Sequence, residues 1–575
     1  MSKDLNNVLT KILYEAKSYS SFEQIEKLVE DQGDLSQIPV QPLYVSLLTF
    51  SSDQLAKVIP RLSKKQRKVL LDLDLWRKDQ VDVQSFETWI ESYARVEDLD
   101  IIQDFVDSED FLLYLKSRVN VYTFDVEDPE YPDHDFYFLT DDNLLLIEYS
   151  EEFKYPNELK FLVRNLYDKL GVEAAYTQLF KLMNDSFASL EESGYQEKKE
   201  RLRDYGFVDY YEALEKLHSF ASLKQVENFI LAKKSITPNI DSLSLNQNLH
   251  SSALTSFDKE MENIYAELLK CKDSKRLEYL HFTFVRLVNS TITLKDALKG
   301  GRVELTRIGE ITKSFMELGL QKVKVHKNYS EEQSVFNDFD FFDLYKIGSS
   351  LINLKRQKLI RALKKTQFVE NEHEGFLGAW WVSFLENSEQ EIPKVKAFGA
   401  GLHAKKVNSL EAYAFWEQQV DLLTDMLPFI QTFFKSFQDL KEGGHLHSDF
   451  YLNYEVENID FEAIIISSFV NYSIGNFSEK NVNKMGVTIV ELKQFFDTYF
   501  EKKDQEYVLA PMTSKPIQDQ IQHFMGQFGF DSLPNMHTYL YGILSEHLSG
   551  YEFDTLDDED FKHIGGPILL NFTKN

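Results

Sequence analysis

The chain has 575 residues, of which 43% are hydrophobic, and this apolar content excludes wholesale disorder. Its 63 basic and 93 acidic residues give a formal net charge of −30, which argues against nucleic acid as a partner because phosphates would be repelled. The single cysteine excludes an intrachain disulfide, and no apolar run approaches the roughly 20 residues of a membrane-spanning helix. With the polar start of the chain, these features predict a soluble cytoplasmic protein.

Short helices in series are predicted for residues 1–118. The segment Ser63–Gln66 fits a capping box, in which the serine hydroxyl and the glutamine side chain satisfy each other's backbone amides. Leu47, Ile59 and Leu71 recur every 12 residues, which is typical of one short helix plus a turn. Such units are too short to be stable alone, so we interpret 1–118 as a repeat-like N-terminal domain whose helices bury one another.

An acidic segment follows at residues 119–156. From Val119 to Phe153 there are 11 acidic residues and no lysine or arginine. Residues 119–122 and 136–138 are strand-like, and prolines interrupt the stretch between them. We predict an irregular insertion, with a small hairpin or a weak cation site as open alternatives.

The remainder of the chain again predicts helices. We divide it into a helical block at 157–233, a polar linker, a central helical domain at 253–440 and a C-terminal helical region with an acidic tail at 441–575. The clearest apolar stripe runs through residues 257–287 and includes Cys271, which predicts a buried thiol. The expected fold class is therefore mainly α, multi-helical and partly α-solenoid-like, with a small irregular or β excursion near 119–153.

No motif in the sequence specifies a reaction. The phosphate loop, the dinucleotide fingerprint, the nucleophile elbow and the His-Glu-x-x-His zinc motif are absent, so no cofactor is predicted. His445, His447 and Asp449 could present metal ligands from one side of an extended segment, which would suit a metal-assisted hydrolase. The alternative is a polar surface loop next to two glycines.

A basic cluster occupies residues 355–365. It contains six basic residues and no acid, and three of them share a helical face: Lys358, Arg361 and Lys365. It could bind a phosphorylated ligand. Pairing with acidic segments of the same chain, or simple solvation, is the alternative.

Four segments together resemble an uncharacterised bacterial family known as a domain of unknown function. They are Leu70–Tyr93, with its Leu-Asp-Leu-Asp-x-Trp core and a second Trp 13 residues later, Asn165–Leu190, Glu191–Leu217 and, more faintly, Leu344–Leu359. The resemblance implies a mostly helical cytoplasmic protein and supplies no reaction or catalytic residue. The short helices near 40–75 are also similar to the cytoplasmic helical-repeat domain of magnesium transporters.

The third of these segments carries a cluster of polar side chains. Glu192, Tyr195, Arg201 and Asp204 crowd a helix that ends near Gly206. They could form a polar groove that recognises a partner, or a network of salt bridges that fixes the next turn. Amphipathic helices, an acidic surface and the lack of a reaction motif together favour a non-enzymatic interaction or scaffold protein, with the metal-assisted hydrolase as the alternative.

Overall fold

The computed structural model describes residues 27–31, 33–36, 38, 40–184, 186–203, 205–234, 262–368, 373–398, 404–443, 459–475 and 489–552. Within these ranges the fold is mainly α-helical with small antiparallel sheets, which confirms the predicted fold class. The chain forms two compact units, one comprising Met1–His218 and Ile230–Lys346 and the other Ser219–Phe229 and Ile347–Asn575. The division into five segments made from the sequence stays a prediction.

The elements up to residue 232 are, in chain order, α1 (Val40–Leu47), α2 (Ser52–Val58), α3 (Lys64–Asp74), β1 (Trp76–Arg77), β2 (Gln80–Val81), α4 (Val83–Ala94), α5 (Leu99–Val106), α6 (Glu109–Arg118), β3 (Val119–Thr123), β4 (Tyr137–Leu139), β5 (Leu145–Tyr149), α7 (Pro156–Leu170), α8 (Val172–Asn184), α9 (Phe187–Arg203), α10 (Tyr210–Leu217) and α11 (Leu223–Ala232).

The elements from residue 262 onwards are α12 (Glu262–Lys270), α13 (Ser274–Leu294), α14 (Gly301–His326), α15 (Phe341–Leu363), α16 (Ala379–Glu389), β6 (Lys394–Val395), β7 (Lys405–Lys406), α17 (Leu410–Glu442), α18 (Phe461–Ser473), α19 (Ile489–Tyr499), β8 (Phe500–Lys503), β9 (Glu506–Leu509), α20 (Lys515–Phe528), α21 (Met536–Leu548) and β10 (Tyr551–Glu552).

Helix α3 shows how the local sequence determines where a helix of the first unit begins. The Ser63 amide donates to Gln66 Oε1 at 2.8 Å and the Gln66 amide donates to Ser63 Oγ at 3.3 Å, so the predicted capping box is present. The Gln66 side-chain amide also donates to the carbonyls of Leu35 and Ile38, both at 2.8 Å. The cap therefore starts α3 and also holds the segment that precedes α1 against it.

The acidic insertion folds into a three-stranded antiparallel sheet in the order β3-β5-β4. Val119 pairs with Tyr149 at one end of the register and Thr123 with Leu145 at the other. The central strand is β5, whose Leu145 and Ile147 are fully buried. The two strand-like stretches noted in the sequence, 119–122 and 136–138, lie in or beside the two edge strands, β3 and β4.

The second unit is built around the 33-residue helix α17 and helix α18. Trp416 of α17 is fully buried and donates through Nε1 to Ser388 Oγ at 3.0 Å. Phe469 of α18 packs edge-on against Phe495 and Phe524, with ring centroids 6.1 and 5.2 Å away. These aromatic contacts form much of the apolar core of this unit.

Candidate functional site

A cavity of about 510 Å³ opens in the first unit between the α3–β1 segment, helix α9 and the end of α13. This volume lies in the range of roughly 300–1,000 Å³ that is usual for small-molecule sites. Four aromatic side chains contribute to its walls: Trp76, Tyr195, Phe207 and Tyr210. The cavity therefore offers flat apolar surfaces to a ligand.

The Leu-Asp-Leu-Asp-x-Trp motif ends at Trp76, and its aspartates and its tryptophan make different contacts. The Asp72 carboxylate faces helix α9 and accepts two bonds from Arg201, each 2.9 Å long. Asp74 accepts hydrogen bonds from the Tyr44 hydroxyl and from Trp89 Nε1, both at 2.7 Å. Trp76 itself turns into the cavity wall. The two aspartates thus fasten the end of α3 and hold Trp76 in place.

Helix α9 accommodates the Trp76 ring through Gly194. A Cβ atom at this position would lie 3.3 Å from a carbon of the ring. The residue is buried on the face of α9 that also carries Tyr195. Any larger side chain here would push the ring away from the helix and change the shape of the cavity.

A two-residue turn between β1 and β2 forms another wall. Lys78, at the first position of the turn, has a φ of 59°, which is uncommon for a residue other than glycine but is required by the tightest hairpin turns. Its ammonium lies 4.6 Å from the centroid of the Tyr210 ring. The turn is fastened from outside, since the Tyr211 hydroxyl donates to Asp79 at 3.2 Å and the Val81 amide donates to Glu191 at 3.0 Å.

Lys198 of α9 places its ammonium on the cavity wall. Its Nζ donates to the Lys78 carbonyl at 3.0 Å and lies 5.1 Å from the Trp76 ring centroid and 5.5 Å from that of Tyr195. In the described part of the chain, a carbonyl and two ring faces hold this ammonium, and no carboxylate does so at ion-pair distance. Burial lowers the pKa of Lys198 to about 8 although Asp72 and Asp209 act in the opposite direction.

The cavity carries an excess of positive charge. Its described walls include three aspartates, Asp72, Asp209 and Asp296, and five basic residues: Arg77, Lys78, Lys198, Lys199 and Lys295. One charge of each sign on the walls is paired with a residue outside them, Asp72 with Arg201 and Arg77 with Asp82, so the excess of positive charge remains. In a chain with a net charge of −30, a locally basic cavity favours an anionic ligand.

A buried ionic network lies behind the cavity. The Asp72 side chain is fully buried, and its bidentate partner Arg201 also donates to Glu197 at 2.7 Å, which is the i,i+4 pair expected from the sequence. Burial, followed by the charge of Asp72, raises the pKa of the enclosed Asp110. Burial also raises the pKa of Asp72 itself, and the bonds from Arg201 limit that rise.

The residues predicted from the sequence to bind a partner lie in different places where the structure describes them. Tyr195 lines the cavity, whereas Arg201 is engaged with Asp72 and Glu197 behind it. Glu192 is exposed and accepts a bond from Gln196 at 2.7 Å. Asp204 lies outside the described residues. Their role in binding a partner stays a prediction.

The proposed metal ligands His445, His447 and Asp449 lie outside the described residues. Where the structure describes the chain, the acidic 119–156 segment included, no group of three histidine, cysteine or carboxylate side chains is arranged to hold a metal ion. The described helices also include none that is long and apolar enough to cross a membrane. Cys271 is buried, as its position on the apolar stripe predicts.

The basic cluster at 355–365 is partly used within its own unit. Lys355 contacts Glu417 at 2.8 Å and Asp421 at 2.9 Å, and Lys358 contacts Asp421 at 2.6 Å. Arg356 donates to the carbonyls of residues 388, 390 and 391. These contacts correspond to the alternative in which the cluster pairs with acidic segments of the same chain, and a phosphorylated ligand here stays a prediction.

Sequence reasoning missed Lys78, Lys198 and Lys295, which are three of the five basic residues on the cavity walls. A signal for Lys198 was present, because it lies three residues after Tyr195 and four before Leu202 and so shares their helical face. No comparable signal marks the other two, which reach the cavity only through long-range packing.

Comparison with known proteins supplies a family but no activity. The model of a family described as "Family of unknown function (DUF6178)" matches residues 17–563. No curated protein and no solved structure matches the chain. The similarity to the magnesium-transporter repeat domain is not shown by these comparisons. Because the match covers nearly the whole length, the chain belongs to this family of unknown function, DUF6178.

Proposed function

We propose that the protein binds a small anionic organic molecule with a flat ring in the cavity between α3, α9 and α13. One observation supports this proposal above the others: five basic residues line an aromatic-walled cavity in a strongly acidic chain. The rings of Trp76 and Tyr195 offer stacking surfaces, and the lysines offer charge. The cavity also lies where two of the resembling segments, Leu70–Tyr93 and Glu191–Leu217, meet.

The binding test uses pyridoxine 5′-phosphate, which combines a flat ring with a phosphate, and uncharged pyridoxine as its matched probe. Calorimetry on the full chain is expected to show binding of the phosphate ester and at least tenfold weaker binding of pyridoxine. Lys198→Met should weaken binding of the ester about tenfold or more. Lys169→Met, at an exposed position on α7, is the control and should leave it unchanged.

Two results would contradict the proposal. One is that the ester fails to bind at millimolar concentration although the protein is folded. The other is that Lys198→Met binds the ester as tightly as the unchanged chain.

A second candidate function is the docking of a basic protein partner on the acidic segment formed by the β3-β5-β4 sheet and the loop between β3 and β4. It continues the hypothesis of an interaction or scaffold protein. The specific observation is that large apolar side chains stay exposed among its acids: Tyr122 is 47% exposed, Val126 62% and Tyr131 54%. Aromatic groups surrounded by charge of one sign are suited to a partner of opposite charge. Both β3 and β4 are also edge strands.

A charge-matched comparison tests this candidate with a fluorescein-labelled oligolysine peptide. The double reversal Glu130→Lys/Asp133→Lys should weaken peptide binding several-fold more than Glu215→Lys/Glu278→Lys, which changes the net charge equally at exposed helical positions. Equal weakening by both variants would mean that the peptide senses only the total charge, and this candidate would be abandoned.

A further inference from the structure

We infer that Lys198 is a nucleophile that forms an imine with an aldehyde or ketone group of the anionic ligand. This inference rests on the proposed function of the cavity and goes beyond it, because it assigns a covalent step and a class of ligand. It would make the cavity a site for small anionic carbonyl compounds.

The position of the amine suits this chemistry. Nζ lies on the wall of a cavity large enough for a small ring compound, against the faces of Trp76 and Tyr195. Its described hydrogen-bond partner is the carbonyl of Lys78, which can accept equally from an ammonium or from a neutral amine. A carboxylate in direct contact would instead hold the charged form, which has no lone pair for attack.

Asp72, the carboxylate that most favours the charged form of Lys198, is already paired with another residue. Asp72 binds the forked guanidinium of Arg201, one helical turn beyond Lys198 on α9, through both of its oxygens. Lys299 adds a positive charge that disfavours the ammonium, while its own Nζ is held by the Asp74 carbonyl and by Asp82. Burial and the charge of Lys299 favour the uncharged amine of Lys198, and they outweigh Asp72, Asp209 and Asp79, which favour the ammonium.

The lowered pKa agrees with this geometry. With a value of about 8, about one Lys198 in ten is uncharged at pH 7, against about three in ten thousand for an ordinary lysine. The attacking form is thus far more populated at Lys198 than at an exposed lysine.

The reaction balances without a further reactant. The lone pair of the neutral amine attacks the carbonyl carbon, so a C–N bond forms while the C=O π bond breaks, and one proton passes from nitrogen to oxygen to give a carbinolamine. The C–O bond then breaks and the hydroxyl group leaves as water with the second nitrogen proton, so amine plus carbonyl yields imine plus water. The anionic part of the ligand would be held by the basic side chains around it, Lys78 and Lys295 among them.

The test uses pyridoxal 5′-phosphate as an anionic aldehyde, with borohydride reduction and peptide mass spectrometry on the full chain. At one equivalent, Lys198 is expected to carry at least tenfold more reduced adduct than exposed Lys169. Pyridoxine 5′-phosphate, which has no aldehyde, should protect Lys198 by competition. Lys198→Arg should lose the adduct and Lys169→Arg should not, and the labelling rate should rise with pH to a midpoint near 8.

The outcomes separate this inference from the proposed function. If pyridoxine 5′-phosphate binds but Lys198 is labelled no faster than Lys169, the imine is refuted and the anion site stands. If the ester does not bind and Lys198 is not selectively labelled, both are refuted. The comparison of lysines within the unchanged chain stays decisive even if Lys198→Arg fails to fold.

Discussion

Replacing Arg201 by methionine should destabilise the first unit severely. The change removes two hydrogen bonds, each 2.9 Å long, from an Asp72 carboxylate whose side chain is fully buried. Methionine fills a similar volume but leaves that carboxylate unpaired beside the enclosed Asp110. Breaking a buried ion pair in this way costs about 3–5 kcal/mol. By contrast, Glu197 is 44% exposed, so Glu197→Gln should cost less than about 1 kcal/mol.

The double variant Asp72→Asn/Arg201→Met separates the lost ion pair from lost packing. It removes both charges, so it should be more stable than Arg201→Met alone by about 2 kcal/mol or more. A purely packing role for Arg201 would make the double variant at least as unstable as the single one.

Hydrogen-exchange mass spectrometry is the suitable assay, because it reports the opening free energy of peptides from α3 and α9 individually. The Arg201→Met effect should also grow as the pH rises from 5 to 8, since the unpaired carboxylate would then ionise. An effect below about 1 kcal/mol, unchanged with pH, would show that Asp72 does not depend on Arg201 and would refute the described network.

Two further predictions concern single residues. Burial, followed by the charge of Asp72, raises the pKa of Asp110 to about 7, so the native state binds more protons than the unfolded state between about pH 4 and pH 7. The stability that this group contributes is therefore present below about pH 4 and is lost as the pH rises through 7. The variant Asp110→Asn should remove this pH dependence of the unfolding free energy in urea titrations. Gly319→Ala on α14 would place a Cβ 1.9 Å from the backbone oxygen of Leu344 and should cost about 2 kcal/mol or more in thermal unfolding. Gly526→Ala on α20 has no atom within 4 Å of its Cβ and should instead gain about 0.5–1 kcal/mol; a loss of similar size in both variants would contradict the close helix contact.

Local sequence patterns predicted the helices well because a helix is stabilised by contacts between residues only three or four positions apart. The helices predicted within 253–440 include α14, α15 and α17, and the capping box at Ser63 starts α3 as expected. In the acidic insertion the predicted β excursion is present, but local patterns did not predict its central strand. Its central strand β5 follows a left-handed Asn143 and pairs with both edge strands, but the run Leu144–Ile147 is too uniformly apolar to show the alternation of a half-buried strand.

The cavity could not be predicted from local patterns, because its lysines are distant in sequence. Lys78 and Lys295 are separated by more than 200 residues and come together only when α3, α9 and α13 pack. Tyr195 and Arg201, chosen from the sequence, lie on the helix that forms one wall of the cavity, but their polar groups were interpreted as one surface. In the structure they divide between two faces, one towards the cavity and one towards the buried network.

The network and the cavity have a common origin in the packing of α3 against α9. Lys198 and Arg201 are both basic and lie one turn apart on α9, and α3 presents Asp72 to them. A planar guanidinium matches both carboxylate oxygens at once, so Arg201 takes the carboxylate and Lys198 is left with a carbonyl and two rings. The ion pair with Asp72 therefore offsets the cost of burying the Arg201 charge, whereas no carboxylate at ion-pair distance among the described residues offsets the cost of burying the Lys198 charge. Burial lowers the pKa of the neighbouring Lys198 amine to about 8, and Asp72, whose two oxygens bind Arg201, offsets that effect only in part.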